Sequence, residues 1–264
     1  TRAKARIAAG NVPFDPPDAE ARLERLGVVA MMIYLLFNAG YSRGHADPDA
    51  ARLCDEAIRL GRLLQRLFPA EPEIMGLVAL MLLQHARHRA RTDAEGQLVL
   101  LEDQDRTLWD GPMLAEGRAL VEKALRHREP GTYQVQAAIA AQHARAKRAG
   151  DTDWGAIDRL YQTLEMFQPS PVVTLNRAVA VSKVRGPAAA LALLAPLGDR
   201  LDSYFHYHGV RGGLLLQLGD TAGAREAFNR AIALAGSAAE AAHIRLHLDR
   251  LSAQPPLPPA SAIN

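Results

Sequence analysis

Residues 212–231 read GGLLLQLGDTAGAREAFNRA, and this stretch decides the fold. Gly212 is a small residue within a first apolar helix, and Gly219-Asp220 makes a turn. Ala224, Phe228 and Ala231 then fall on the packing face of a second helix. Small residues are needed where two helices cross closely, and the large one fills the gap between pairs. Ala178 and Gly212 stand 34 residues apart, as do Ala190 and Ala224, Leu194 and Phe228, and Leu197 and Ala231. A helix pair repeating at that period is the tetratricopeptide signature. The earlier copy, 171–197, is the degenerate one. A final helix over 238–251 would cap the stack, because each repeat exposes an apolar face that a neighbour must cover. The Pro-rich end, 255–264, cannot extend that helix and reads as a mobile tail.

Towards the N-terminus the punctuation continues to cut out helices. The first is expected over 18–38, after Asp15-Pro16-Pro17, and is ended by Gly40, with a loop over 41–47. Asp47-Pro48 opens a second, with Asp47 as its N-cap and Leu53, Ala57, Leu60, Leu64 and Leu67 at helical spacing. Pro69 stops it. Glu71-Pro72 starts a third, running to about Arg91. The rhythm breaks over 92–111, which holds a turn, the short apolar run 98–101 read as extended, and a charged loop ending at Trp109. Helices resume at about 112–126, 133–149 and 153–166, the last with an N-cap at the Thr152-Asp153-Trp154 step. The fold class is therefore all-α, with antiparallel helix pairs stacked into a right-handed solenoid. Its expected parts are 1–17 as a linker, 18–168, the repeats 169–252, and the tail 253–264.

Composition agrees. Of 264 residues, 48% are hydrophobic and 23% charged, with aromatics only 5% and Ala and Leu abundant; these are strong helix formers. The formal net charge of +2 argues against a nucleic-acid-binding module and against a membrane-surface protein. A single cysteine, Cys54, excludes an intrachain disulfide and suits a reducing cytoplasm. The apolar stretches 28–37 and 74–83 are shorter than the roughly 20 residues that span a bilayer. The chain starts at Thr rather than Met, as a fragment of something longer would.

Chemistry is sparse. His243 and His247, and His85 and His88, have helical spacing but no third ligand, and are read as exposed helix histidines. His206 and His208 are expected to line or cap a groove. Cys54 sits beside Asp55 and Glu56, whose charges oppose a thiolate, so it reads as a small buried apolar residue. Phosphate-cradling glycine loops and nucleophile elbows are absent, and neither a cofactor nor a metal is called for. The acidic cluster Glu102, Asp103 and Asp105 follows the basic cluster Arg87, His88, Arg89 and Arg91. The expectation is a loop folded back and charge-paired on the basic helix, with Trp109 as its apolar anchor. The alternative is a site in which Arg87 and Arg91 close with Glu102, Asp103 and Asp105 on a polar metabolite. Catalysis would need a nucleophile or metal beside Asp103 or Asp105, and none is supplied, so the chain reads as a binding protein and not an enzyme.

Several stretches taken together resemble a known family. They are YLLFNAGY at 34–41, EAIRLGRL at 56–63, LLEDQDR at 100–106, YQVQAAIAA at 133–141 and SPVVTLNRAVA at 170–180. The set resembles the C-terminal, tetratricopeptide-type extension of bacterial extracytoplasmic-function RNA polymerase sigma factors, from about residue 2 to 251. Residues 1–7, TRAKARI, resemble the end of the region that reads the −35 promoter element, and Pro13-Phe14 the junction to the extension. The family usually reads Phe-Asn-Glu-Gly-Tyr where this chain has Ala39, so the role of that carboxylate is in doubt here. The resemblance implies a cytoplasmic regulatory domain that supports or controls transcription initiation. Core RNA polymerase and promoter DNA would be met through sigma regions upstream, with intramolecular contact to those regions and no membrane. The expected polar contacts are Asn38, Tyr41, Arg106, Gln134, Gln136, Asn176 and Arg177, each of which could equally serve helix–helix hydrogen bonding.

Overall fold

The computed structural model describes residues 18–43, 48–94, 98–237, 240–242, 244–245 and 248–249. Among them the protein is all-α, with antiparallel helix pairs stacked on one another. The helices are α1 (Ala19–Arg43), α2 (Pro48–Leu67), α3 (Pro72–His85), α4 (Gly111–Leu125), α5 (Thr132–Arg145) and α6 (Trp154–Phe167). They continue with α7 (Pro171–Arg185), α8 (Pro187–Leu194), α9 (Gly198–Leu201), α10 (Phe205–Gln217) and α11 (Thr221–Leu234). The residues expected to be linker, 1–17, the N-cap Asp47, the pair His243 and His247, and the tail 253–264 lie outside the described residues.

Each helix packs on its neighbours in sequence, so the core is a chain of overlapping clusters, as in a solenoid. Phe37, Cys54, Ile58, Ile74 and Met81 join α1, α2 and α3. Leu80, Leu83, Val121 and Ala137 join α3, α4 and α5. Val135, Ile139, Ile157 and Val173 carry the core on to α6 and α7. The sequence of α3, PEIMGLVALMLLQH, is apolar on all sides because helices surround it: α2, α4, α5 and part of α1. Helix starts are fixed by side-chain caps. Asp110, Asp153 and Asp220 each accept a backbone N–H from the first turn of their helix, at 2.8, 2.8 and 2.9 Å.

The repeat is built as its spacing predicts. Ala178, Ala190, Leu194, Ala224, Phe228 and Ala231 are all buried to within 1%, Gly212 is buried with them, and Gly219 turns the chain with φ +82°. The two copies are volume-compensated. A Cβ on Gly212 would stand 2.6 Å from the Phe228 ring. In the other copy the same two positions hold Ala178 and Leu194: where the large residue shrinks, the small one grows. The expected capping helix is helical at its described residues, 240–242, 244–245 and 248–249, and Ile244 packs against Phe228.

Five local expectations are corrected. Gly40 does not end α1, which runs on through Tyr41 and Ser42. Its missing side chain instead lets α2 approach, since a Cβ there would meet the Ala50 carbonyl and stand 2.9 Å from Cys54 Sγ. The third helix ends at His85, short of Arg91, and gives way to a 3-10 turn over His88–Ala90. Helix α5 stops at Arg145, not Ala149, because Arg106 reaches its last turn and donates to the carbonyls of His143 and Ala146. His85 is buried, not exposed: its Nε2 lies 3.2 Å from Asp55, and its ring stacks on His88 at 4.9 Å. The run 98–101 forms no strand; Thr92 and Leu98 make a single bridge.

One finding bears on membranes. By length and composition, Glu20–Ser42 is apolar enough to cross one, because the helix extends beyond the apolar run 28–37 on both sides. On one side it is committed to the core: Leu26, Ala30, Ile33 and Phe37 are buried against α2 and α3.

Candidate functional site

The irregular segment after α3 is tied down at several points. Val99 N–H donates to the Arg91 carbonyl at 2.9 Å, and Asp110 N–H to the Ala86 carbonyl at 2.8 Å. Trp109 is buried, and the Arg106 guanidinium lies over its ring, 4.5 Å from the centroid. Arg106 thus has two tasks, stacking on the loop anchor and capping α5. Asp105 folds onto its own loop, accepting from Thr107 N and Oγ1 at 2.9 and 2.7 Å. Those bonds hold its carboxyl below the usual carboxylate range.

So fixed, the segment forms one wall of a groove of about 600 Å³. Leu98, Leu100 and Leu101 line that wall. Helix α6 contributes Trp154, Ile157 and Tyr161; α7 contributes Asn176, Val179 and Lys183; α10 contributes Phe205, His206, Gly209 and Gly213. The glycines of α10 keep its inner face low, and Glu240 and Ile244 close the end. The surface is mainly apolar with a few polar groups, the make-up of a binding site. Of its charged side chains, Lys183 and Glu102 pair with each other: Lys183 Nζ lies 2.9 Å from Glu102 and 5.9 Å from the Trp154 ring centroid. Among the described residues no group of three or more His, Cys, Asp or Glu could hold a metal ion.

The expected site residues separate into four places. Glu102, Arg106 and Asn176 reach the groove. Asn38, Tyr41, Arg87 and Arg91 gather where α1 ends. There Arg91 donates to the Tyr41 carbonyl at 2.9 Å and covers its ring at 3.6 Å, while Arg87 donates to the Tyr41 hydroxyl at 3.0 Å. Asn38 lies one turn after Tyr34 on the same helix. Gln134 and Gln136 sit at the crossing of α3 and α5. Gln134 is buried and bonded to Glu73 and to the Glu129 carbonyl, and Gln136 faces the Tyr34 hydroxyl at 3.4 Å. Arg177 is on the seam of α6 and α7, paired with Asp158 and Glu165.

The expected stacking of the acidic loop on the basic helix is therefore corrected. Arg87 and Arg91 turn to Tyr41, Glu102 turns to Lys183, Asp105 caps its own turn, and Asp103 is exposed. The groove residues Trp154, Tyr161, Lys183 and Phe205 were not singled out by sequence. The signal was present on α7, where Asn176, Val179 and Lys183 share one helical face, but no partner helix could be assigned to it. His206 lines the groove as expected, while His208 is buried on the Asp202 carbonyl at 2.7 Å.

His143, also in the groove wall, is a pH-sensitive point. Burial, then the charges of Arg87 and Arg106, push its imidazole down from 6.5 to about 4. The folded form keeps it neutral, whereas the unfolded chain protonates it near its ordinary value. Stability from this group is complete above pH 6.5 and is lost as pH falls towards 4, by up to about 3 kcal/mol. Thermal melts between pH 7 and pH 4 are expected to show a smaller fall in Tm for His143→Phe than for the unchanged chain.

Residues 25–125, which hold most of α1 and all of α2 to α4, match a family described as a family of unknown function, DUF6596. An uncharacterized protein of Rhizobium meliloti (strain 1021) is 66% identical over 256 residues, covering 97% of this chain and 60% of that protein. The chain thus spans about three fifths of the length of this relative. No solved structure matches.

Proposed function

We propose that this chain is the C-terminal interaction extension of an extracytoplasmic-function sigma factor, acting in the cytoplasm by binding and not by catalysis. It supports or controls transcription initiation by contacting the sigma regions upstream of it in the same polypeptide. The observation that carries this reading is the second apolar face of α1. Opposite the buried stripe, Val28, Met31, Met32 and Leu35 are exposed, Met32 at 62% and Leu35 at 58%. Ala39 lies exposed one turn further on, so alanine in place of the family's usual glutamate lengthens that face. A contiguous exposed apolar patch marks an interaction surface. This one lies on the helix that follows residues resembling the sigma junction, and it carries the YLLFNAGY motif. The chain covers 60% of the longer relative, which thus carries further sequence outside the matched part.

The test is a pull-down of the full-length sigma factor, with and without 19–264, on core RNA polymerase, followed by run-off transcription. Loss or deregulation of transcription in the shortened form is expected. Unchanged transcription and unchanged control would overturn the reading.

A further inference from the structure

We propose that the groove between α6, α7 and α10 is the seat of this chain's own Pro-rich segment, residues 254–260, QPPLPPA. The inference stands independently of the sigma reading.

The first argument is electrostatic. The groove's two cationic side chains, Lys183 and Arg106, are balanced by two carboxylates, Glu102 and Glu240. Lys183 pairs with Glu102 at 2.9 Å, Arg106 spends its donors on the end of α5, and Glu240 accepts from Gly236 N–H at 2.8 Å. The lining therefore carries no excess of either charge to select a charged ligand, and residues 251–264, LSAQPPLPPASAIN, contain no charged side chain and no histidine. Charge matching therefore selects an uncharged occupant.

The second argument is hydrogen-bonding chemistry. Pro255, Pro256, Pro258 and Pro259 lack a backbone N–H, so a segment rich in them brings carbonyl acceptors and few donors. Proline-rich sequences favour the extended polyproline conformation, whose carbonyls point outward and need partners. The groove offers donors in the side-chain amides of Asn176 and Gln217. Trp154, Tyr161 and Phe205 supply aromatic surface for the proline rings, the pairing by which aromatic-lined grooves take Pro-rich segments.

The third argument is connectivity. Glu240 and Ile244 already form the groove's end, and Leu248 continues the cluster around Phe228. The segment is tethered within a few residues of that rim. Extended at about 3.1 Å per residue, the residues from 250 to 260 reach roughly 30 Å, against a helix width of about 10 Å. A tether this short gives an effective concentration on the order of millimolar, so modest contacts suffice for occupancy.

The test is photocrosslinking in the full chain. Benzoylphenylalanine is placed separately at His206 and at Lys183, so that one variant remains if the other fails to fold. Trypsin cleaves after Arg250 and releases 251–264 as one peptide. The expected result is a crosslink from each position to that peptide within monomeric protein, lost when the four prolines are replaced by serine. No crosslink to 251–264, a crosslink found only in dimers, or a yield indifferent to the prolines would each overturn the proposal.

Discussion

Gly76→Ala is expected to destabilise the folded chain by about 2 kcal/mol or more, against the usual sign for glycine to alanine inside a helix. Alanine normally gains about 1 kcal/mol there, because glycine loses more backbone entropy on folding. At Gly76 the gain is outweighed by contact. A Cβ would stand 2.6 Å from the Gln134 backbone nitrogen and 2.8 Å from its Cα. These are main-chain atoms that cannot rotate away. They are also pinned: the Glu73 carboxylate accepts the N–H groups of Tyr133 and Gln134 at 3.0 Å each. Glu73, on α3, thereby caps the start of α5, whose own N-cap is Gly131 and supplies no side chain. Moving α5 aside would break that cap. Gly27, on the exposed side of α1, has nothing within 4 Å of its Cβ position, so Gly27→Ala is expected to stabilise by about 0.5–1 kcal/mol. Urea midpoints of the two variants should move in opposite directions. Equal shifts would mean that α3 and α5 do not meet backbone to backbone.

Arg177→Ala is expected to cost about 3–5 kcal/mol, the range for removing one partner of a buried ion pair. Arg177 Nε donates to Asp158 at 2.8 Å and Nη1 to Glu165 at 2.7 Å, with only 17% of its side chain exposed. Asp158 is as deeply placed, at 11%, and also accepts from Arg185 at 3.2 Å. Burial alone would raise the Asp158 carboxyl. The Arg177 hydrogen bond and charge, with Gln162 and Arg185, outweigh it, so the net shift is downward. Without Arg177 the carboxylates of α6 face the seam with α7 with their principal counter-charge gone. A large fall in Tm, partly restored by Arg177→Lys, is the expected outcome. An unchanged Tm with lost partner binding would instead make Arg177 a contact residue, as its place in the LNRAVA motif suggested.

These two cases show what was legible in the sequence. The repeat from Ala178 to Ala231 could be read because close packing of like units repeats the same residue sizes at the same spacing. The compensated pairs Gly212–Phe228 and Ala178–Leu194 are that rule in three dimensions. Helix ends set by distant side chains could not be read. Nothing near Arg145 says that α5 stops there; the reason is Arg106, far back in the chain. Gly40 looked like a helix stop because the local meaning of glycine is a turn, whereas its use here is a close approach by α2. The site was the least legible part. Glu102 and Arg87 lie in adjacent charged clusters, and proximity in sequence suggested pairing. Folding sends Glu102 across to Lys183 on α7 and Arg87 back to Tyr41 on α1. Trp154 and Phe205 come together in one groove only after α6 and α10 have been stacked, which no single helical face announces.

The central claim rests on the exposed face of α1, and its most direct test is a charge placed there. Met32→Glu combined with Leu35→Glu should leave the Tm of the isolated chain nearly unchanged, because both side chains are already exposed. Under the function proposed above, the same double substitution in the longer polypeptide is predicted to lose or deregulate run-off transcription with core RNA polymerase. Transcription and control indistinguishable from the unsubstituted protein would contradict the account.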